Sequence, residues 1–322
     1  MVTVETGARL HFGFQNLSLA HPRLYGGVGV GLREPVISVN VESATEIRCP
    51  DPAVEPYLKR AVEVLGVDGA ALSVETAVPR HAGLGSGTQL ALACLLGVAH
   101  AYGRDVDPRA YASQLGRGGR SGVGVATFET GGFVVDAGHP TAQFTTAPPE
   151  PGEWVVPNPI VTRPLPDVWR FVLITPDDEA RGPSGEHEER QIRAVIERAD
   201  PTIADEISTL LTRELLPAVA EANVQEFGRA LTRLGQLNGA WYADEQGGVY
   251  RPPAGTLIES LTMSSAITGA GQSSWGPTVY GVTTAGNAER ARTAATEALS
   301  AVELQGTVRV VQPSNQGATV RD

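Results

Sequence analysis

Six consecutive residues, Gly83-Leu84-Gly85-Ser86-Gly87-Thr88, offer a chemistry before any fold is considered. They follow the β-rich run Ala71–Val78 and precede the apolar run Leu90–Leu96. A strand, a glycine-rich loop and a helix in that order leave backbone N–H groups free at a helix N-terminus, where the dipole favours an anion. The expected ligand is a phosphate or diphosphate, bound by Gly83, Gly85, Ser86, Gly87 and Thr88 with Arg80 nearby. A Walker-type loop is excluded, because no lysine follows the last glycine and the only lysine is Lys59. The spacing also misses the dinucleotide fingerprint. The competing reading is an ordinary glycine turn ahead of a buried helix.

The whole chain narrows the possibilities. Its 322 residues suit one large domain or two moderate ones, and an apolar fraction of 42% is enough for a real core. No apolar stretch approaches the roughly 18 residues of a membrane helix. The first residues, Met1 to Glu5, lack the pattern of a signal peptide, so a soluble cytoplasmic protein is expected. A net charge of −11 argues against nucleic acid or an anionic membrane as partner. Cys49 and Cys94 are too few and too far apart for a disulfide framework or a zinc site.

Short strands are expected at Val2–Glu5, Ala8–Phe12, Gly27–Leu32, Val36–Val41 and Thr45–Arg48. Helices are expected over Val54–Leu65 and from the glycine loop to about Ala101, the second apolar on nearly all sides and therefore buried. Asp107-Pro108 reads as a capped helix start, the helix ending near Gly116. Gly122–Phe128 and Gly132–Asp136, joined by Glu129-Thr130-Gly131, read as a hairpin. Residues 139–167, rich in proline, threonine and glutamate, read as a surface excursion. A strand at Trp169–Ile174 opens a second half with helices near 186–199, 203–217, 222–238 and 254–266, then strand 278–282, helix 288–302 and strand 307–311. The mixture argues an α+β fold in two lobes, 1–165 and 166–322.

The strand–GLGSG–helix unit resembles the second motif of the galactokinase, homoserine kinase, mevalonate kinase and phosphomevalonate kinase (GHMP) superfamily. More narrowly, Gly83–Ala93 resembles the β-ribofuranosylaminobenzene 5′-phosphate synthase family. Arg9–Gly13, Gly26–Val30, Arg117–Gly124, Phe128–Gly138, Trp169–Pro176, Gln246–Tyr250 and Gly271–Pro277 are similar to the same family in the same order. The resemblance implies a GHMP-kinase-like fold: an N-terminal lobe like the second domain of ribosomal protein S5 and a ferredoxin-like C-terminal lobe. It also implies a reaction, in which phosphoribosyl pyrophosphate and 4-aminobenzoate or 4-hydroxybenzoate condense with loss of pyrophosphate and CO₂. A homodimer is implied as well.

That chemistry needs three kinds of residue. The diphosphate calls on the glycine loop, on a second loop at Ser121 and Gly122, and on Arg117 and Arg120. Mg²⁺ is the expected cofactor, with Glu129 and Asp136 as candidate ligands and Glu186 behind them. Mg²⁺ often binds through substrate phosphates and few side chains, so a dense ligand cluster is not required. The aromatic acid calls on a guanidinium and an aromatic wall, drawn from Arg9, His11, Arg23, Tyr25 and Trp275. His81, Asp136 and Arg117 are the catalytic candidates. The rival reading is an ATP-dependent small-molecule kinase, and a third is an idle relative that has kept the fold. Kinases of the superfamily often carry Ser-Gly-Ile-Asp where this chain has Ser121-Gly122-Val123-Gly124, and a glycine cannot orient a proton. The Ser184–Glu188 run reads as an acidic helix start rather than a catalytic arrangement.

Overall fold

The computed structural model describes residues 1–144, 149–177 and 186–321, with side chains from 190 onward in the last stretch. In chain order the first half holds β1 (Val2–Asn16), β2 (Arg23–Ser43), α1 (Glu55–Leu65), β3 (Ala70–Thr76), α2 (Ser86–Ala101), α3 (Pro108–Ala112), α4 (Val123–Thr130), β4 (Phe133–Asp136), β5 (His139–Pro140) and β6 (Pro159–Arg163). The second half holds β7 (Trp169–Pro176), α5 (Glu186–Arg198), α6 (Pro201–Leu210), α7 (Leu216–Ala220), α8 (Val224–Gln246), α9 (Ala254–Thr262), β8 (Gly269–Gln272), β9 (Val279–Thr284), α10 (Ala288–Ala301), β10 (Gly306–Val311) and β11 (Thr319–Arg321).

Two sheets organise these elements. The first runs β11-β1-β2-β4-β6, with β3 and β5 also paired to β2. The second runs β10-β7-β9-β8, all antiparallel, the order of a ferredoxin-like βαββαβ unit. The fold is therefore α+β and two-lobed, as the sequence leads one to expect. Helix α2 is buried from Ser86 to Ala99 except at Gly87 and Thr88, and packs on β1 and β2 beside α4. Its apolar sides admit no solvent face. Helix α8 crosses between the lobes, touching β1 as well as β8 and β9. Its start is capped by Asn223, whose side chain accepts from Gln225 N and Glu226 N.

Three expectations are corrected. The separate strands at 2–5 and 8–12 are one strand, β1, with register shifts at Gly7/Arg9 and His11/Gly13. Glycine at these shifts imitates a strand end in the sequence. Residues 123–128 form α4, not a hairpin arm. Every residue from Val123 to Phe128 is buried, so neither a helical nor a strand period shows in the pattern. Ser121 Oγ accepts from Val123 N at 3.2 Å and starts the turn helically. Residues 139–167 are not simply a surface excursion: β6 pairs with β4, and Val156 is buried against Gly118.

Where α8 meets β8 the backbones touch. A Cβ on Gly269 would stand 1.8 Å from the Gly228 carbonyl oxygen, and one on Gly228 would stand 2.3 Å from Thr268 Oγ1. Gly269→Ala should therefore separate the helix from the sheet and cost about 1–3 kcal/mol. The midpoint of chemical denaturation measures this, and an unshifted midpoint refutes the close approach.

Candidate active site

The glycine loop turns through two left-handed residues, Gly83 (φ 83°) and Gly85 (φ 77°), and Gly85 caps α2. The N–H groups of Ser86 and Gly87 have no partner among the described residues, whereas Thr88 N and Gln89 N already donate to the Gly85 carbonyl. Arg9 braces the loop: its Nη1 donates to the Gly83 carbonyl at 2.8 Å and its backbone N donates to Leu84 O. Ser273 Oγ donates to the same Gly83 carbonyl at 2.8 Å. Strand β1 and the 273–276 loop thus hold the mouth of α2 from both sides.

Arg117 brings charge to this mouth. A Cβ on Gly87 would lie 3.3 Å from Arg117 Nη1, and the Arg117 Nε is buried with no acceptor. Its guanidinium lies 5.4 Å from the centre of the Tyr57 ring. Among the described residues Arg117 forms no ion pair, and a cation beside unpaired helix N–H groups is a setting that suits an anion.

Next to the loop lies a cavity of about 370 Å³. Four arginines face it, Arg9, Arg117, Arg120 and Arg193, together with His11 and His139. Phe14, Tyr25, Phe144, Trp154 and Trp275 supply aromatic walls, and Thr88 and Ser121 supply hydroxyls. Among the described residues no aspartate or glutamate lines it. The chain as a whole carries a net charge of −11, so this basic lining stands against its overall balance. The volume suits a small-molecule ligand, and the charge suits an anionic one.

Three polar groups converge on Gly27. A Cβ there would stand 2.0 Å from Ser121 Oγ, 2.8 Å from Asp136 Oδ2 and 2.9 Å from His11 Nε2. Ser121 Oγ donates to Asp136 Oδ2 at 2.9 Å, Gly122 N donates to the same oxygen at 2.7 Å, and Gly138 N donates to Oδ1 at 2.8 Å. Burial raises the Asp136 carboxyl above its ordinary value, opposed by these donors. Burial, then Arg9 and Arg120, holds His11 well below 6.5, so it is neutral in the folded protein. Burial likewise lowers His139, opposed by the Gly118 carbonyl and Gln143, with Arg23 lowering it further.

The expected site residues divide. Thr88, Ser121, Arg117, Arg9, His11, Tyr25 and Trp275 line the cavity. Ser86 and Gly87 stand at the helix mouth, and Gly122 is tied to Asp136. Arg9 is grouped by sequence with the aromatic acid, but it is spent on the glycine loop. Arg23 faces away, donating to the Ala137 and Gly138 carbonyls. Arg80 and His81 are exposed and do not line the cavity. Arg80 instead borders a neighbouring hollow with Tyr57, Arg60 and Arg117. Glu129 does not line it either, because Arg109 Nη2 donates to it at 2.5 Å. Asp136 is fully buried and serves as an anchor. The Glu186 side chain lies outside the described residues. Sequence reasoning missed Arg193, His139, Phe14, Phe144 and Trp154. Only the Trp154 indole in a proline-rich stretch offered a signal, and it donates to the Arg117 carbonyl at 2.9 Å.

Among the described residues no three His, Cys, Asp or Glu side chains gather where a metal ion could sit, so the protein alone builds no metal cage there. At Gly124 a Cβ would press on Thr88 Cγ2 at 3.1 Å, so helices α4 and α2 approach where the superfamily's kinases often carry an aspartate.

Comparison with known proteins completes the description. The models for the N-terminal and C-terminal domains of GHMP kinases match residues 55–132 and 215–301. The chain is 35% identical over 300 residues to the β-ribofuranosylphenol 5′-phosphate synthase of Archaeoglobus fulgidus, covering 90% of this chain and 91% of that one. It is 31% identical over 297 residues to the protein of that name from Methanothermobacter thermautotrophicus, covering 87% and 88%. Its fold is similar to that of a homoserine kinase from Cytophaga hutchinsonii, with a TM-score of 0.65 at 17% identity over 99% of this chain and 97% of that one.

Arg117→Gln should weaken binding of inorganic pyrophosphate by about ten- to a hundredfold, read by calorimetry, since a charge-assisted contact is lost. Equal affinity in the variant would remove Arg117 from the anion site. The histidines set a pH dependence. His11 and His139 are depressed in the fold, so the unfolded chain takes up protons first as pH falls below about 6.5. Their contribution to stability is complete above that pH and lost below it. Tm should fall between pH 7.5 and 5.5, and the fall should be shallower in a His11→Gln/His139→Gln double variant. Identical slopes would contradict the burial of neutral imidazoles.

Proposed function

This chain belongs to the β-ribofuranosylphenol 5′-phosphate synthase family within the GHMP kinase superfamily, and from that premise we propose that it is a decarboxylating pentosyltransferase. It joins phosphoribosyl pyrophosphate to a 4-substituted benzoate and releases pyrophosphate and CO₂. The observation that carries the reading is the cavity between the glycine loop and an aromatic wall, lined by four arginines and, among the described residues, by no acidic group. Phosphoribosyl pyrophosphate is a polyanion, and the benzoate is flat and anionic. The relatives' names specify a phenol, which favours 4-hydroxybenzoate over 4-aminobenzoate.

The diphosphate sits at the mouth of α2, on the Ser86 and Gly87 N–H groups, with Arg117 alongside. These donors take up the charge that develops as the anomeric C–O bond breaks. Thr88, in the same first turn of α2, and Ser121, just before α4, add hydroxyls to this space. The benzoate ring lies against Phe14, His11 and Trp275, with its carboxyl-bearing carbon toward the anomeric carbon. That carbon forms the new C–C bond. The bond to the carboxylate then breaks, and its electron pair restores the aromatic ring. Mg²⁺ belongs to this reading as an ion carried by the substrate's phosphates, where it would neutralise charge. A homodimer and a cytoplasmic location are parts of the same proposal and rest on the family resemblance.

A kinase on the same fold is the second reading. Gly124 disfavours it, because no side chain there can orient an attacking hydroxyl. The deciding experiment mixes the protein with carboxyl-labelled 4-hydroxybenzoate, phosphoribosyl pyrophosphate and Mg²⁺ and counts released CO₂. Release that requires both substrates is expected. No release, together with ATP turnover on an alcohol, would establish the kinase instead.

A further inference from the structure

Beside the large cavity lies a narrow slot of about 40 Å³, walled by Phe12, Gly13 and Phe14 of β1, by Gly235, Asn238 and Gly239 of α8, and by the segments that carry Tyr250 and Trp275. The two spaces share His11, Phe14, Ser274 and Trp275, so Trp275 stands at their boundary. Tyr242 packs edge-on against that indole, with ring centres 4.7 Å apart.

The slot's polar groups are nearly all spent. Asn238 accepts from Phe14 N at 2.7 Å and donates to Phe14 O at 3.0 Å. Gln246 Nε2 donates to Val249 O at 2.7 Å, and Gln272 Oε1 accepts from Arg251 N at 3.2 Å. Two groups are different. Among the described residues, Trp275 Nε1 and the Tyr250 hydroxyl are buried with no hydrogen-bond partner. The Tyr250 hydroxyl stands over Gly235, where a Cβ would lie 3.1 Å away. A buried donor without an acceptor is costly in a native fold, and here two such groups border one small space.

Size says what enters. An enclosed benzene ring needs a cavity of about 150 Å³, while one water needs only about 10–15 Å³. A space of about 40 Å³ therefore takes a ring substituent and leaves the ring itself in the larger cavity. Chemistry says which substituent. An indole N–H only donates, so it pairs with an acceptor. A phenol oxygen accepts readily. An aniline nitrogen is a poor acceptor, because its lone pair is delocalised into the ring, and it brings N–H donors of its own.

We propose that Trp275 Nε1 and the Tyr250 hydroxyl bind the 4-hydroxyl oxygen of the benzoate in this slot and thereby select 4-hydroxybenzoate over 4-aminobenzoate. The inference rests on the reaction proposed above and adds the residues that choose its acceptor. Burial pushes the Tyr250 phenol up to about 12, so it keeps its proton near neutral pH. Donation to the substrate oxygen draws it toward phenolate, the form with most electron density at the para carbon that attacks.

The test compares wild type, Trp275→Phe and Tyr250→Phe with the two acids at saturating phosphoribosyl pyrophosphate. Phenylalanine keeps an aromatic ring at both positions: Tyr250→Phe removes only the hydroxyl, while Trp275→Phe removes the N–H donor together with the five-membered ring, so the two variants are read together. The ratio of kcat/KM for 4-hydroxybenzoate over 4-aminobenzoate should fall at least about tenfold in Trp275→Phe and move the same way in Tyr250→Phe. An unchanged ratio overturns the proposal. Calorimetry with each acid and inorganic pyrophosphate, without turnover, separates the two failures. Preferential binding of 4-hydroxybenzoate that Trp275→Phe abolishes, without product in the wild type, refutes the reaction and keeps the recognition. Equal affinity of the wild type for the two acids, or binding of neither, overturns the recognition whatever the reaction proves to be.

Discussion

A carboxylate sealed from water, that of Asp136, holds the walls of the site in register. Its oxygens accept from Ser121, Gly122 and Gly138, and its own carbonyl accepts from Gln15 Nε2 at 2.6 Å. Four segments meet there: the end of β4, the start of α4, the turn at 138 and the far end of β1. Burying a carboxylate is unfavourable unless its lone pairs are answered. Here the answers come from the backbone that must be placed. Removing the carboxylate would orphan two buried N–H groups at about 1–3 kcal/mol each. Ser121 and the arginines before α4 are positioned from this anchor.

The second constraint is electrostatic separation. Guanidinium groups in an acidic protein find carboxylates readily, and a paired arginine is poorly available to a ligand. Contacts other than carboxylates help to orient three of the cavity arginines. Arg9 donates to a carbonyl, Arg117 lies by Tyr57, and Arg193 lies 5.1 Å from the Phe144 ring centre. Carbonyls and ring faces orient a cation without neutralising it. Arg109, by contrast, is paired with Glu129 and lies off the cavity wall. The same residue type closes on a carboxylate in one place and lines the cavity in another.

The loop at 83–88 was legible because its chemistry is local. Glycine at left-handed φ and small hydroxyl residues at a helix start are properties of neighbouring positions, and α2 begins at Ser86 as its residues imply. The second lobe was legible for a similar reason, since strand and helix periods alternate through 169–311. Residues 123–128 were not legible. With every side chain buried, Val123, Val125 and Thr127 look like a strand, and only Asp136 holding Gly122 and Ser121 bonding Val123 N settle the helix.

The amino-acid order by itself determined the two-lobed α+β architecture, the glycine loop that opens α2, the family and the glycine at 124. Each of these follows from short-range spacing. Tertiary structure alone decided which arginines line the cavity, that Glu129 and Asp136 are held by partners within the fold, and that Trp275 and Tyr250 border one slot. Those outcomes depend on groups tens to hundreds of positions apart, such as Arg109 with Glu129 or Phe14 with Asn238. No periodicity encodes such pairs. They form because a buried polar group must find a partner wherever the fold delivers one.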